Sequence, residues 1–290
     1  MPSAMIKPDP EALRPDLHTH TTASDGMLNP EELVCEAAKQ RINVLAVTDH
    51  DSISGLDKAK EAAVRSDIRL IPGIEIGCEG KEEVHILAYF VRDDMRGLRE
   101  VITALINDRA ERALKFLYKL RSLSISLSME DLQIPPGTAC SRPLIARALV
   151  RKGFASSVKE AFDRYLGIGK PAYVERLVLN TEGILGLLRD EGAVPVLAHP
   201  ELMKNQARKH PDQIKAWRKQ GLLGIEAYHP QHTKADCARW DHTARNNGLL
   251  VTGGSDFHAF GDTHGSLGCM VDMWHTASKD ARALLALSPQ

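Results

Sequence analysis

The chain has 290 residues, of which 43% are hydrophobic and 26% are charged, and this composition excludes an intrinsically disordered chain and an extended coiled coil. Its formal net charge of −1 at pH 7 excludes a protein whose whole surface attracts polyanions. No apolar run approaches the roughly 20 residues that span a bilayer, so we expect no membrane partner.

The first sixteen residues contain several prolines together with Lys7 and Asp9, whereas a secretory signal needs an apolar core. The five cysteines form no Cys-x-x-Cys pair, and an odd number of unpaired thiols is typical of a reducing compartment. These features predict a cytoplasmic protein with structural cysteines. Nothing in the sequence predicts an obligate protein partner.

A helix is predicted to begin after Asn29. The segment Asn29-Pro30-Glu31-Glu32 supplies a capping side chain, a first-turn proline and two acids suited to the positive end of a helix. After this helix, the apolar run Val44–Val47 ends in Thr48-Asp49-His50-Asp51. Such a run is typical of a buried parallel strand whose carboxyl end is exposed.

The pattern of an apolar run with a polar end recurs in later segments: residues 69–75, 84–90, 194–199, 224–228 and 249–256. Helical segments separate several of these runs, among them 181–190 and 233–246. The alternation of strands and helices predicts a parallel α/β barrel, whose active site lies at the carboxyl ends of the strands.

Residues 96–176 interrupt this alternation. Apolar residues recur there at helical spacing over 98–120, and residues 142–152 have the pattern of another helix. The stretch holds 15 Lys and Arg against 8 Asp and Glu, so we expect a helical insertion that presents a basic surface to an acidic site. The predicted division is a barrel formed by 14–95 and 177–290, with the insertion over the active site.

Several of the 12 histidines lie beside carboxylates at the predicted strand ends. His18 and His20 alternate by two, so on an extended strand both side chains point to one face and can share an ion. Imidazole and carboxylate together suit Zn, Mn or Fe. Asp49-His50-Asp51 and Asp256-Phe257-His258 add further pairs of this kind, so the combination predicts a site for two or three metal ions.

Five motifs of the chain resemble those of the PHP (polymerase and histidinol phosphatase) family. They are Asp16-Leu-His-Thr-His-Thr-Thr-Ala-Ser-Asp-Gly26, Val47-Thr-Asp-His-Asp51, Pro72-Gly-Ile-Glu75, Ala198-His-Pro200 and Gly254-Ser-Asp-Phe-His258. The resemblance covers nearly the whole chain. It implies a distorted (β/α)7 barrel of the TIM type with a helical insertion. It also implies a trinuclear metal centre, for which we expect two to three divalent ions, manganese first and zinc or iron as alternatives.

The same resemblance implies nine metal ligands. They are His18, His20, Asp25, His50, Glu75, His85, His199, Asp256 and His258. One ion would be held by His18, His20, Glu75 and Asp256, a second by Glu75, His85 and His199, and a third by Asp25, His50 and His258.

The insertion between the strands of His85 and His199 resembles more narrowly a bacterial branch that hydrolyses nucleoside 3′,5′-bisphosphates and 5′-phosphorylated short oligoribonucleotides. That branch implies substrate contacts from Ser141, Arg142, Lys170 and Tyr173. His229 follows a predicted strand end and is expected to contact phosphate or to donate a proton. A guanidinium can bind phosphate through two hydrogen bonds, and a tyrosine can stack on a base. The expected catalytic residues are Asp256 and His229. The histidines expected at the surface are His210, His232, His242 and His275.

The sequence therefore predicts a metal-dependent phosphoesterase that removes the 3′-phosphate of nucleoside 3′,5′-bisphosphates. Cleavage of short 5′-phosphorylated RNA in the 5′→3′ direction would be a further activity of the same site, so the expected partner is a nucleotide or a short oligoribonucleotide. Two alternatives stay open. Histidinol phosphatase or another small-molecule phosphatase would share the metal site, whereas a non-catalytic metal-binding module of the PHP type is disfavoured by the complete ligand set.

Overall fold

The computed structural model describes residues 13–78, 84–134, 140, 142–175, 177, 179–203, 210–261, 264–271, 274 and 277–288. Two units make up the chain. The barrel unit comprises residues 1–92 and 180–290, and the helical unit comprises residues 93–179. All strands found in the described residues belong to the barrel unit.

Seven strands form the sheet of the barrel unit, and their spatial order follows their sequence order. They are β1 (Pro15–Asp16), β2 (Val44–Val47), β3 (Arg69–Cys78), β4 (Val84–Tyr89), β5 (Val194–Leu197), β6 (Gly224–Tyr228) and β7 (Leu250–Gly253). The sheet nearly closes into a barrel, since the Leu17 N–H donates to the Gly253 oxygen at 3.2 Å and Thr19 pairs with Phe257. The predicted α/β barrel is confirmed.

One strand runs against the expected direction. β4 is antiparallel to both β3 and β5, whereas the other neighbouring strands pair in parallel. The expectation of parallel strands is wrong here. Only residues 79–83 separate β3 from β4, whereas a connection between parallel strands needs about a dozen residues or more. The start of β4 therefore lies beside the end of β3, where Gly77 pairs with His85.

The helices of the described chain are α1 (Pro30–Lys39), α2 (Leu56–Ser66), α3 (Arg96–Ser122), α4 (Arg142–Arg151), α5 (Val158–Ala161), α6 (Thr181–Asp190), α7 (Pro211–Gln220), α8 (Lys234–Asn246) and α9 (Ala277–Leu285). α1 begins as its sequence predicts. The Asn29 side chain accepts the Glu32 N–H at 2.9 Å, and the Glu32 carboxylate accepts the Asn29 N–H at 2.9 Å, which satisfies two N–H groups at the helix start. None of the helices seen in the described residues has the length and apolar character needed to cross a membrane.

The core of the barrel unit holds β2 against the first helix. Leu45 and Val47 of β2 are buried in one cluster with Leu33 and Val34 of α1 and with Phe257. Each such side chain stabilises the fold by about 1.5–3 kcal/mol relative to an exposed position. This packing fixes the carboxyl end of β2, and therefore the polar residues that follow it.

The helical unit has a core of its own. Phe116 and Leu120 of α3 are buried together with Ile145 and Leu149 of α4 and with Leu166. The described part of this unit contains helices and turns but no strand. The predicted limits of the insertion, 96 and 176, lie inside the unit's 93–179, and its position over the active site stays a prediction.

Candidate metal centre

His18 and His20 follow β1, and both rings reach the same two carboxylates. Their Nε2 atoms lie 3.1 and 3.2 Å from Glu75 Oε2, and 3.3 and 3.2 Å from Asp256 Oδ1. The intervening Thr19 is turned elsewhere, since its hydroxyl donates to a backbone oxygen of β2 at 2.6 Å. The period of two in the sequence thus places both imidazoles on one side of the chain.

Glu75 is the central carboxylate of the cluster and is fully buried in β3. Its Oε1 atom lies 2.8 Å from His85 Nδ1 and 3.0 Å from His199 Nε2. Its Oε2 atom lies 3.1–3.2 Å from the ring nitrogens of His18, His20 and His50. Because one carboxylate faces imidazoles on both of its oxygens, Glu75 offers a ligand atom to each of two groups of histidines.

A third group of side chains lies on the open side of the cluster. His258 Nε2 is 3.4 Å from Asp25 Oδ1, and the His258 ring stacks on His20 with 4.1 Å between centroids. Ligand atoms of four side chains lie within 4.8 Å of one another: His20, Asp25, His50 and His258. The Asp25 side chain is 54% exposed, so solvent reaches this group.

Asp49 fixes the loop that carries Asp25. Its carboxylate accepts the Thr21 N–H, the Thr21 hydroxyl and the Ser24 hydroxyl, each at 2.7 Å. A buried carboxylate with three donors is well satisfied. Asp49 therefore holds the loop through one backbone N–H and two hydroxyls. Its neighbour His50 is the residue of this motif that faces the cluster.

The unpaired nitrogens of His20 indicate that the cluster fits metal ions. Both ring nitrogens are buried and lack a hydrogen-bond partner within the described chain, although Nε2 lies 3.2 Å from an oxygen of Glu75 and of Asp256. A buried polar atom without a partner is costly, and a cation between these three groups would satisfy it. Imidazole and carboxylate ligands suit first-row divalent metals, and the cluster opens into a cavity of about 240 Å³.

The electrostatics of the cluster also indicate that it fits metal ions. Burial alone would lower the pKa of His18, but the carboxylates of Glu226, Glu75 and Asp256 raise that pKa well above its usual value. Burial would also lower the pKa of His20, yet Asp256 and Glu75 raise it to about 10. The histidines in turn hold the pKa of Glu75 and of Asp256 well below the usual range, against the effect of burial. In the metal-free protein, protons therefore supply the positive charge that this carboxylate cluster requires.

His229 and Asp256, the two predicted catalytic residues, lie side by side. His229 is fully buried, its Nε2 lies 3.2 Å from Asp256 Oδ2, and its Nδ1 accepts the Gln231 N–H at 3.2 Å. A neutral imidazole nitrogen that accepts a hydrogen bond carries no proton, so Nε2 is protonated and donates to Asp256. A direct contact of His229 with substrate stays a prediction.

Two of the predicted substrate contacts lie together in the helical unit. The guanidinium carbon of Arg142 is 6.0 Å from the centre of the Tyr173 ring and 5.9 Å from that of the Phe162 ring, within the range of a cation–π contact. Lys170 is exposed, and Ser141 lies outside the described residues. Their contact with a substrate stays a prediction.

The histidines expected at the surface differ in their environments. His210 and His242 are exposed, and His275 lies outside the described residues. The prediction for His232 is wrong, because this ring is buried and its Nδ1 donates to the Ala227 oxygen at 2.9 Å. Its position in a polar loop gives no sign of this burial.

Sequence reasoning missed two residues beside the cluster. Glu226 is fully buried in β6 and accepts a hydrogen bond from His18 Nδ1 at 3.1 Å, while His264 lines the cavity and stacks on His258 with 4.3 Å between centroids. A carboxylate inside the apolar run Gly224–Tyr228 was the available signal for Glu226, since Glu is seldom fully buried without a partner. No comparable signal marks His264, which follows no predicted strand.

Comparisons with known proteins agree with this geometry. A model of the PHP domain family matches residues 16–176. The chain is 34% identical over 252 residues to a 5′-3′ exoribonuclease of Haemophilus influenzae, across 84% of this chain and 89% of the relative. It is 30% identical over 261 residues to a 3′,5′-nucleoside bisphosphate phosphatase of Chromobacterium violaceum, across 89% of this chain and 92% of the relative.

The fold is also that of a solved structure. The chain resembles the crystal structure of a candidate metal-dependent phosphoesterase from Bifidobacterium adolescentis, with a TM-score of 0.83 and 28% identity over 97% of this chain and 99% of that one. The family match covers more than half of the chain, and the motifs around His18 fit the same assignment. The chain therefore belongs to the PHP family and is a metal-dependent hydrolase of phosphoric ester bonds.

Proposed function

We propose that the chain removes the 3′-phosphate of nucleoside 3′,5′-bisphosphates at the cluster around Glu75. The observation that carries the proposal is the arrangement of five imidazoles around the two oxygens of this one buried carboxylate. Such an arrangement is suited to a multinuclear centre, because imidazole and carboxylate are ligands of first-row divalent metals. The similarity to the bisphosphate phosphatase of Chromobacterium violaceum favours a nucleotide as the substrate.

A second activity is favoured by a separate observation. The Haemophilus influenzae relative is a 5′-3′ exoribonuclease, and residues 96–176 carry an excess of Lys and Arg, which attracts a phosphodiester backbone. We propose that the same site also cleaves short 5′-phosphorylated RNA from its 5′ end. Both reactions hydrolyse a phosphoric ester, so one centre suffices for both.

We propose that the nine predicted ligands hold two to three divalent ions, with manganese first and zinc or iron as alternatives. Bound ions of this kind acidify a water and bind phosphoryl oxygens as Lewis acids. The chain's own part is to hold the ligand atoms in place: Glu75 joins the groups of His18 and His85, and Asp256 joins those of His18 and His258.

The remaining predicted residues would act on the substrate. Arg142 and Lys170 would neutralise the charge that develops on the phosphoryl group, and Ser141 would add a hydrogen bond to it. Tyr173, whose ring already lies beside Arg142, would stack on the base. His229 would act through its hydrogen bond to Asp256, with proton donation to the leaving oxygen as the alternative role.

The test is a panel of substrates with added manganese. It compares release of phosphate from adenosine 3′,5′-bisphosphate, from histidinol phosphate and from a 5′-phosphorylated RNA oligomer, whose product lengths are followed by electrophoresis. We expect the bisphosphate to be hydrolysed with the highest kcat/KM and the oligomer to be shortened from its 5′ end. Asp256→Asn is the control variant and should abolish both reactions.

The other outcomes support the alternatives. Preferential hydrolysis of histidinol phosphate would replace the nucleotide substrate by a small-molecule one. Absence of hydrolysis throughout the panel, together with binding of at most one ion, would establish the non-catalytic module and contradict the proposed function.

A further inference from the structure

Glu226 lies in the middle of β6 between two buried apolar residues, Ile225 and Ala227, and is itself fully buried. A carboxylate in such a place is expensive unless its oxygens are paired. Its Oε1 and Oε2 atoms lie 3.1 and 3.2 Å from His18 Nδ1, and Oε2 also accepts the backbone N–H of His199 at 2.8 Å. Glu226 therefore links β6 to the segments that follow β1 and β5.

The contact with His18 determines which ring nitrogen faces the cluster. Nδ1 points to Glu226 and Nε2 points to Glu75 and Asp256. A carboxylate on Nδ1 keeps the proton there and leaves the lone pair of Nε2 free for an ion, and it also fixes the orientation of the ring.

The contact with His199 acts on the backbone. His199 has a φ of +24°, outside the regions that a non-glycine residue favours, and such a conformation persists only where the surroundings hold it. The hydrogen bond from its N–H to Glu226 supplies part of that restraint. The turn directs the His199 ring to Glu75 Oε1 at 3.0 Å.

We propose that Glu226 is a positioning residue that orients His18 and His199 together and so sets the affinity of the ions bound by these two histidines. No hydrogen bond within the described chain joins Glu226 to Asp25, His50 or His258, so the ion of this group should keep its affinity when Glu226 is changed. This inference rests on the proposed metal centre and adds to it a residue that touches no ion.

The amide analogue cannot reproduce these contacts. In Glu226→Gln, an oxygen kept in the place of Oε2 still accepts from His199 and stays 3.2 Å from His18 Nδ1, but the NH₂ group then stands in the place of Oε1, 3.1 Å from the same Nδ1–H. The reverse rotamer places the NH₂ group against the His199 N–H. In either case one donor opposes another, so the amide should loosen at least one of the two histidines.

The test measures manganese binding by metal-free wild type, Glu226→Gln and the control Asp280→Asn. Asp280 is another buried carboxylate of the barrel unit, which accepts from Trp274 and Arg245 and lies on α9. Free manganese is followed by electron paramagnetic resonance, and the melting temperature reports the stability of each variant. We expect Glu226→Gln to bind the ions of His18 and His199 about 10–100-fold more weakly and to bind one ion with wild-type affinity. Asp280→Asn should bind every ion with wild-type affinity.

The inference would be overturned if Glu226→Gln bound every ion with wild-type affinity. It would also be overturned if Glu226→Gln and Asp280→Asn lost affinity for every ion to the same extent. A wild-type protein that binds no manganese would instead contradict the proposed function. If Glu226→Gln does not fold, the nitrogen NMR shifts of His18 in zinc-loaded wild type decide the question. A proton on Nδ1 supports the inference, and a proton on Nε2 overturns it.

Discussion

His229 Nε2 lies 3.2 Å from Asp256 Oδ2, and both side chains are buried. Because His229 Nδ1 accepts the Gln231 N–H at 3.2 Å, the proton on Nε2 is directed to Asp256. We therefore expect His229→Ala to lower kcat by about 10–100-fold through the loss of this orienting bond. The loss should be the same for a nucleoside bisphosphate and for p-nitrophenyl phosphate, whose leaving group needs no proton.

The comparison of leaving groups separates the two roles of His229. A loss of about 10²–10⁴-fold with the bisphosphate, together with nearly normal turnover of p-nitrophenyl phosphate, would show that His229 protonates the leaving oxygen. His232→Ala is the matched control, since His232 is also a buried imidazole but bonds to a backbone oxygen. It should leave the ratio of the two rates unchanged.

Arg142 should contribute to binding of the substrate phosphate. A charged hydrogen bond is worth about 1.5–3 kcal/mol, so Arg142→Ala is expected to raise KM for adenosine 3′,5′-bisphosphate by about 10–150-fold while kcat falls less. Arg164 offers a control in the same unit, because its guanidinium also lies over a tyrosine ring, that of Tyr165, at 4.7 Å. Steady-state kinetics that show equal KM values for Arg142→Ala and Arg164→Ala would remove Arg142 from the substrate site.

Gly254 is required where the barrel closes. A Cβ atom added there would lie 2.4 Å from His18 Cβ and 2.5 Å from His18 N, so Gly254→Ala must displace the backbone of a predicted ligand. We expect a loss of about 1–3 kcal/mol and weaker manganese binding. Gly186, inside α6, has no atom within 4 Å of an added Cβ, and Gly186→Ala should stabilise by about 0.5–1 kcal/mol. Denaturant unfolding compares the two, and equal stability would contradict the account of Gly254.

Manganese binding should release protons. In the metal-free protein, burial lowers the pKa of His18 and His20 but the neighbouring carboxylates raise it, to about 10 for His20, so both rings are protonated at neutral pH. An ion needs the lone pair of Nε2, and the affinity should therefore increase with pH, at least until the His20 ring loses its proton near pH 10. Calorimetry in two buffers of different ionisation enthalpy measures the protons. Equal heats in both buffers at pH 7.5 would show that the rings are already neutral.

The sequence predicted the fold well where periodicity and capping act locally. The cap at Asn29 and the helix Thr181–Asp190 appear as expected, because each rests on contacts within a few residues. The strand Val44–Val47 also appears as expected, because its continuous apolar run shows that both of its faces are buried. The direction of β4 could not be read in the same way. An apolar strand has the same pattern in either direction, and only the short connection before Val84 indicates the antiparallel pairing.

The site was predictable to the extent that its residues stand at strand ends. His18 and Asp256 follow this rule, and Glu75 ends the predicted run 69–75, although β3 continues to Cys78. The barrel places His18 Nε2 3.1 Å from Glu75 and 3.3 Å from Asp256. Glu226 does not follow it, since it lies within a strand and acts on His18 from behind the cluster. Its role depends on a contact between residues 208 positions apart, which no local pattern can show.

The most direct test of the metal centre is anomalous diffraction from crystals of the protein soaked in manganese. We predict two or three anomalous peaks, each within bonding distance of the predicted ligands, with one peak between the Nε2 atoms of His18 and His20 and the carboxylates of Glu75 and Asp256. An absence of anomalous density at this cluster, in crystals of protein that hydrolyses phosphate esters, would contradict the account.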